Sequence, residues 1–260
     1  SHLIKLNEKS SNQTNQSANL SQEERRGRPQ RNAEAEVTSP DGQWKVVVKE
    51  HNLWLEDVES GRQSPLSFDG NPGRSYQPTA DRERFVGMQY QRENPAPGRP
   101  HVYWSPNSKW LVAMKYEPGV ERHVHLIESS PKDQLQPKLH SYSYLKPGDK
   151  MPVQKPALFN VQTQKEVMLD DSLYETPWSI NRLRWDQDSR RFTFLYNQRG
   201  HQALRVIAIE ALTGDPQALI DEQSETLIDY AYKSHFRMME FSDEILWMSE
   251  RDGWNHLYLF

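Results

Sequence analysis

Two histidines, His123 and His125, stand two residues apart in an alternating stretch, so a strand would turn both imidazoles to one face. Imidazoles at that spacing can hold a metal ion, but a structural or catalytic centre needs at least a third ligand, and none can be picked out. The reading is an ordinary exposed strand edge and no metal. The acidic pair Asp170-Asp171 precedes Ser172 at a turn. Adjacent carboxylates can divide acid and base roles, yet beside a serine at a turn this pair reads as a loop or cap. No G-x-S-x-G elbow occurs, so no α/β-hydrolase nucleophile is present in these residues. There is no phosphate-binding loop and no G-x-G-x-x-G, so no nucleotide cofactor is expected. Zero cysteines removes disulfides and thiolate chemistry.

The side chains that remain conspicuous are aromatic. The 260 residues include 8 Trp, 11 Tyr and 8 Phe, although only 35% are hydrophobic and the mean hydropathy is −0.93. Disordered chains are poor in aromatics. Many short strands, each burying one face and wetting the other, reconcile the two facts. The net charge of −4 and pI near 6.2 give no basic stripe for nucleic acid. No apolar run is long enough to span a bilayer as a helix.

Those aromatics recur at equivalent places in a repeat. Ser39-Pro40-Asp41-Gly42 is a turn in which Pro presets φ, Asp caps and Gly supplies φ > 0. Strands over Trp44–Lys49 and Asn52–Val58 follow, the first with Trp44, Val46 and Val48 on one face. The unit returns at Trp104–Trp110, followed by strands Leu111–Tyr116 and Arg122–Glu128. It returns again at Arg184–Phe192, followed by strands Phe192–Tyr196 and Ala203–Ile209. A last unit runs Glu244–Ser249, Arg251-Asp252-Gly253 and Trp254–Phe260. The wide gap between Trp104 and Trp185 implies an insertion, placed at Pro131–Pro156, or an extra blade without the signature. A repeated strand–turn–strand unit that cannot bury both faces alone predicts radial packing. The expected fold is all-β, a partial β-propeller of about four to five antiparallel four-stranded blades over 37–260, a fragment of a larger propeller. Trp104, Trp185 and Trp254 are then blade-packing anchors and not ligand platforms.

Residues 1–36 form a polar segment. Three N-x-[ST] triplets start at Asn12, Asn15 and Asn19, in a stretch rich enough in Asn and Ser to make them by chance. Ser21 with Glu24 makes a capping box for a short helix over Gln22–Arg26, ended by Gly27 and Pro29. No signal peptide is visible at the start, and Trp254–Phe260 has no turn after it, so a piece of a longer protein is expected.

The repeat then meets more specific residues. Ser39–Trp44 with Asn52-Leu53-Trp54-Leu55, and Val102–Ser108, resemble the opening blades of the dipeptidyl peptidase IV N-terminal domain. Tyr144–Pro152 looks like that family's Tyr-Pro-Lys-x-Gly-x-x-x-Pro linker, and Ser249–Tyr258 is similar to a signature of its bacterial members. The resemblance covers about Ser39–Phe260. It implies a serine peptidase of the prolyl oligopeptidase type. A propeller would gate short peptides into a C-terminal α/β-hydrolase domain, here absent, and help to bind them. Its partners would be that hydrolase domain, the peptide substrate and, in the full-length protein, a second copy. A periplasmic or secreted setting follows by the same analogy. The family's dipeptidyl-cleaving members also carry paired glutamates that hold the substrate amine. Here the corresponding segment is Tyr90–Pro97, and Glu93 stands alone among prolines that oppose a helix. The alternative is a non-enzymatic propeller, WD40- or TolB-like, that binds a protein or peptide.

Overall fold

The structure of the chain, a computed structural model, describes residues 38–77, 100–239 and 244–260. The helix expected over Gln22–Arg26 and the triplets at Asn12, Asn15 and Asn19 lie outside the described residues. Within them every regular element is a strand.

The first sheet is β1 (Trp44–Lys49), β2 (Asn52–Asp57) and β3 (Gln63–Pro65), antiparallel throughout. Thr38 adds an isolated bridge to Lys45 on the free side of β1. The second begins with β4 (Val102–Trp104) and β5 (Trp110–Glu117). Next come β6 (His123–Glu128) and β7 (Lys138–Ser143), a separate two-stranded hairpin. The chain then returns as β8 (Val153–Asn160) beside β5, and β9 (Lys165–Val167) closes a sheet ordered β4-β5-β8-β9. The third sheet takes β10 (Pro177–Trp185), β11 (Arg191–Gln198), β12 (Ala203–Glu210) and β13 (Pro216–Gln223) in order. The fourth takes β14 (Phe236–Met238), β15 (Ile245–Ser249) and β16 (His256–Leu259). These are four blades of a partial propeller, two with four strands and two with three, with no closed barrel among the described residues.

Two expectations need correction. The strand at Arg122–Glu128 does not continue the second blade. β5 pairs with β8 from Trp110↔Asn160 to Glu117↔Val153, so the excursion is residues 118–152, and Val153–Asn160 is blade. Trp254 does not open the final strand. The register Ser249↔His256 leaves residues 250–255 to the turn, and Trp254 is 76% exposed there.

The strand sequences explain the radial packing. On β5, Leu111 and Ala113 pack with Val46, Leu53 and Leu55 of the first blade. The alternate residues Val112 and Met114 pack with Phe192, Phe194 and Ile207 of the third. Leu204, Val206 and Ile220 then meet Ile245 and Trp247 of the fourth. A sheet apolar on both faces needs a neighbour on each side, at roughly 1.5–3 kcal/mol per fully buried Leu, Ile or Phe. Trp44 and Trp104 pack at the edge of the first core and Trp185 at the edge of the second. The Trp185 indole also donates to the Tyr103 carbonyl of the preceding blade, at 2.9 Å.

The turns of the repeat are joined to one another. In Ser39-Pro40-Asp41-Gly42, the Ser39 hydroxyl donates to Asp41 Oδ1 and accepts from Trp44 N–H. Ser105-Pro106-Asn107-Ser108 repeats this, Ser105 Oγ donating to Asn107 Oδ1 and accepting from Trp110 N–H. The fourth residue is left-handed in each: Gly42 at φ 73°, Ser108 at 59°, and Ser189 of the third turn at 62°. Non-glycine residues seldom adopt that conformation. Here the two serines use their hydroxyls between blades. Asp41 N–H donates to Ser108 Oγ, and Asn107 N–H donates to Ser189 Oγ, each at 3.1 Å. Both serines are buried, at 5% and 2% exposure.

Candidate functional site

The predicted substrate-binding residue, Glu93, lies outside the described residues. The points where the chain leaves and re-enters them are well defined. Ser75 bridges to Tyr116 at the end of β5, and Gln77 N–H donates to Ser75 Oγ at 3.0 Å. On the other side Met114 N–H donates to the His101 carbonyl. The described chain thus leaves the first blade and re-enters the second at the end opposite the joined serine turns. That end also carries the β1–β2 turn, the base of the 118–152 excursion and the β11–β12 turn.

Backbone geometry at this end is unusual. Glu50 and His51, the two residues of the β1–β2 turn, have φ of 46° and 69°. A two-residue turn of that kind ordinarily takes Asn-Gly. Its conformation is held from outside: Tyr76 N–H donates to the His51 carbonyl, and His51 Nδ1 lies 3.1 Å from Ser75 Oγ. A side chain at Gly70 would meet that same carbonyl at 2.4 Å, so only glycine admits the approach. In the β11–β12 turn His201 has φ 59°. Its ring stacks on Tyr230 at 4.3 Å and meets the edge of Trp178 at 4.9 Å, while Nδ1 lies 3.0 Å from Asn197 Oδ1. Burial holds the His201 imidazole below its ordinary pKa, so it is more readily neutral.

The excursion is tied down at its root. Val120 N–H donates to the Lys150 carbonyl. Lys146 N–H donates to Asp149 Oδ2, and Arg199 Nη2 of the third blade donates to the Asp149 carbonyl at 2.8 Å. Beyond the root the hairpin stands clear. Leu126, Ile127 and Leu139 are 46%, 71% and 67% exposed. His123 and His125 are on β6 as expected. His125 Nδ1 contacts Ser141 Oγ at 2.7 Å, and His123 lies 3.6 Å from Glu121. No group of three His, Cys, Asp or Glu that could hold a metal occurs among the described residues. Asp170 Oδ1 accepts from Ser172 N–H, an Asx turn, while Asp171 faces Lys155. Among the described residues two serine–histidine contacts occur, His51–Ser75 and His125–Ser141. Neither imidazole has a carboxylate partner among the described residues, so neither makes a catalytic triad.

One polar cluster escaped the sequence reading. Glu222 of β13, 9% exposed, accepts from Ser249 Oγ, from Trp247 Nε1 at 3.3 Å and from Arg251 Nη2. The Arg251 guanidinium also lies over the rings of Tyr258 and Phe260, at 4.8 and 4.9 Å. A buried carboxylate needs this many donors to offset its desolvation. The network locks the third blade to the fourth through the Ser249–Tyr258 segment. Between the first and second blades, burial pushes the Asp41 carboxyl up. Hydrogen bonds from Ser39, the Gln43 backbone and Ser108 outweigh it, and the pKa ends below the ordinary aspartate value. Asp69 behaves likewise, burial opposed by the hydrogen bond and charge of Lys115.

The chain was compared with known families and structures. The profile of the family described as "Dipeptidyl peptidase IV (DPP IV) N-terminal region" matches residues 5–260. Dipeptidyl peptidase 4 of Porphyromonas gingivalis superposes with a TM-score of 0.55 at 18% identity, over 86% of this chain and 30% of that one. A Bacteroides ovatus protein described as a dipeptidyl aminopeptidase IV gives 0.48 at 15% identity, over 84% and 33%. The chain thus spans less than a third of the Porphyromonas gingivalis structure whose fold it shares. The profile match, which takes in nearly every residue described above, places the chain in the dipeptidyl peptidase IV N-terminal region family.

Proposed function

We propose that the chain is the non-catalytic propeller portion of a serine dipeptidyl peptidase. It gates peptide access to an α/β-hydrolase active site outside these 260 residues and helps to bind the substrate. The family match over residues 5–260 carries this reading. The lack of a G-x-S-x-G elbow agrees with a supporting role for this portion. Glu93 is the residue proposed to receive the substrate's N-terminal ammonium. A partly desolvated ammonium is held best by charge-assisted bonds, and its fixed distance from the reacting bond sets where the cut falls.

The test is to assay the parent protein and the 260-residue chain side by side on chromogenic X-Pro and X-Ala dipeptides. The parent is expected to turn them over, with loss of activity under a serine-directed inhibitor, and the chain alone to do nothing. A parent without such turnover would overturn the reading in favour of a non-enzymatic, WD40- or TolB-like binding propeller. A homodimer of the full-length protein is proposed through β6–β7. An isolated two-stranded hairpin is marginal in water, and this one leaves Leu126, Ile127 and Leu139 exposed. Light scattering on the parent should give twice the mass of one full-length subunit, and Ile127→Asp should reduce it to the monomer's.

A further inference from the structure

In the second, third and fourth blades the first strand, β4, β10 or β14, has a partner strand on one side only. These free edges stand side by side. Trp185 of β10 donates to the Tyr103 carbonyl of β4, and Arg182 Nη1 of β10 donates to the Phe236 carbonyl of β14 at 2.8 Å. In radially packed sheets such a row of first strands lines the central passage. The row holds Arg182, Arg184 and Arg237, all exposed, and no Asp or Glu, in a chain whose net charge is −4.

β10 is irregular where two of those arginines lie. Asn181 pairs with Leu195 and Arg184 with Thr193, so Arg182 and Leu183 together stand opposite the single residue Phe194. Arg182, at φ 55°, takes a left-handed place that a bulge of this kind ordinarily gives to glycine. Bulges re-aim side chains. Three residues apart, Asn181 and Arg184 would leave a regular strand on opposite faces. Here each shares the face of its cross-strand partner. Leu195 packs into the core shared with the fourth blade, and Thr193 Oγ1 contacts Met238 Sδ of β14 at 3.6 Å. Leu183 turns instead into the core shared with the second blade. Asn181, Arg182 and Arg184 therefore stand along the crease between β10 and β14.

The Arg182 guanidinium is already oriented. Its bond to the Phe236 carbonyl uses one of five donors, and its centre lies 5.6 Å from the Phe236 ring. Neither Arg182 nor Arg184 meets a carboxylate among the described residues, whereas six arginines elsewhere among them do. A guanidinium held by a carbonyl and a ring keeps a planar edge for a carboxylate. We propose that this crease binds the carboxylates of an acidic peptide. Arg182 and Arg184 take the charges, and the Asn181 amide bonds the peptide backbone. A passage lined by one sign of charge concentrates the opposite sign. The inner row thus selects peptides rich in Asp and Glu, a role in substrate choice that rests on the gating reading; the binding itself does not need it.

The test is calorimetry on the 260-residue chain with Ala-Glu-Ala-Glu-Ala amide, its Gln and Lys counterparts, and succinate. The Glu peptide should bind at low salt and weaken as salt rises, because a crease open to solvent is screened. The Gln peptide and succinate should bind at least about fivefold more weakly, and the Lys peptide not at all. Arg182→Gln and Arg184→Gln should each weaken the Glu peptide about threefold or more. Arg184→Gln breaks no contact among the described residues, so it should leave the melting temperature unchanged. Arg62→Gln, at an exposed arginine between β2 and β3, should leave the affinity unchanged. Equal affinity for the Gln peptide or succinate, binding of the Lys peptide, unchanged affinity in Arg184→Gln, or an equal loss in Arg62→Gln would overturn the proposal. Because binding is read on the chain alone, a parent without peptidase turnover would overturn the gating reading and leave this result standing.

Discussion

Replacing Ser189 separates two opposing effects that the joined turns hold together. Ser189 is buried and left-handed, and its hydroxyl accepts the Asn107 N–H from the preceding blade. Ser189→Ala removes the acceptor and keeps the unfavourable φ of 62°. It should destabilise by the net worth of one hydrogen bond, ~0.5–1.5 kcal/mol. Ser189→Gly removes the same acceptor but relieves a left-handed strain of ~1 kcal/mol, so it should lie close to the parent. The two variants should differ by ~1 kcal/mol with glycine the more stable, or about 2–4 °C in a domain of this size. Ser108, which accepts from Asp41 N–H in the same way, should repeat the pattern. Urea midpoints of the four single variants, with unchanged slopes, measure it. If alanine matches the parent, the bond between turns contributes nothing. If glycine is the less stable of the two, the serines are not strained, and the explanation of their left-handed backbone fails.

Other consequences follow from the same structure. Arg251→Met should cost about 1.5–3 kcal/mol by stripping a charged donor from buried Glu222, and adding Glu222→Gln should recover part of it; equilibrium unfolding of the single and double variants reads the coupling. Asp41 and Asp69 have depressed pKa values when folded, so the stability they contribute is present above the unfolded value of 3.8 and is lost as pH falls through the lower folded values. Unfolding midpoints measured from pH 5 to 2 should therefore drop less in Asp41→Asn than in the parent. On the proposal that Glu93 receives the substrate ammonium, Glu93→Gln in the full-length protein should lower kcat/KM for free-amine dipeptides about ten- to a hundredfold and leave amine-blocked substrates unaffected, the loss of one charge-assisted bond. An effect within twofold would place Glu93 in solvent.

The sequence made the blades legible because each repeat carries its own turn chemistry and alternation. Ser39-Pro40-Asp41-Gly42 and Ser105-Pro106-Asn107-Ser108 mark where two blades turn, and β1, β2, β5, β11 and β12 fall within a residue or two of expectation. The excursion was misplaced for two physical reasons. β6 alternates like a blade strand, but alternation does not reveal whether anything covers the apolar face, and nothing among the described residues does. β8 contains Pro156, which argues against a central strand. It is accommodated because β9 pairs only with Leu158–Asn160, so β8 has a single neighbour at Pro156. The Glu222 network was invisible because its members lie in separate strands and only a buried register makes them one group. Trp254 misled because a tryptophan beside Gly253 suits either a strand start or a turn.

The pairing of Glu117 with Val153 has a kinetic side. The third blade is stitched by short turns and can assemble by local zippering. The second must bring together two strands separated by residues 118–152. Closing a loop of that length costs roughly 2 kcal/mol more entropy than closing a four-residue turn. The β6–β7 hairpin, itself local, shortens the effective gap once it forms. An ordering of events is thereby written into the connectivity: the third blade offers the surface of Phe192, Phe194 and Ile207 first, and β5 and β8 condense onto it. In pulse-labelled hydrogen exchange, amides of Arg191–Gln198 would gain protection before those of Trp110–Glu117.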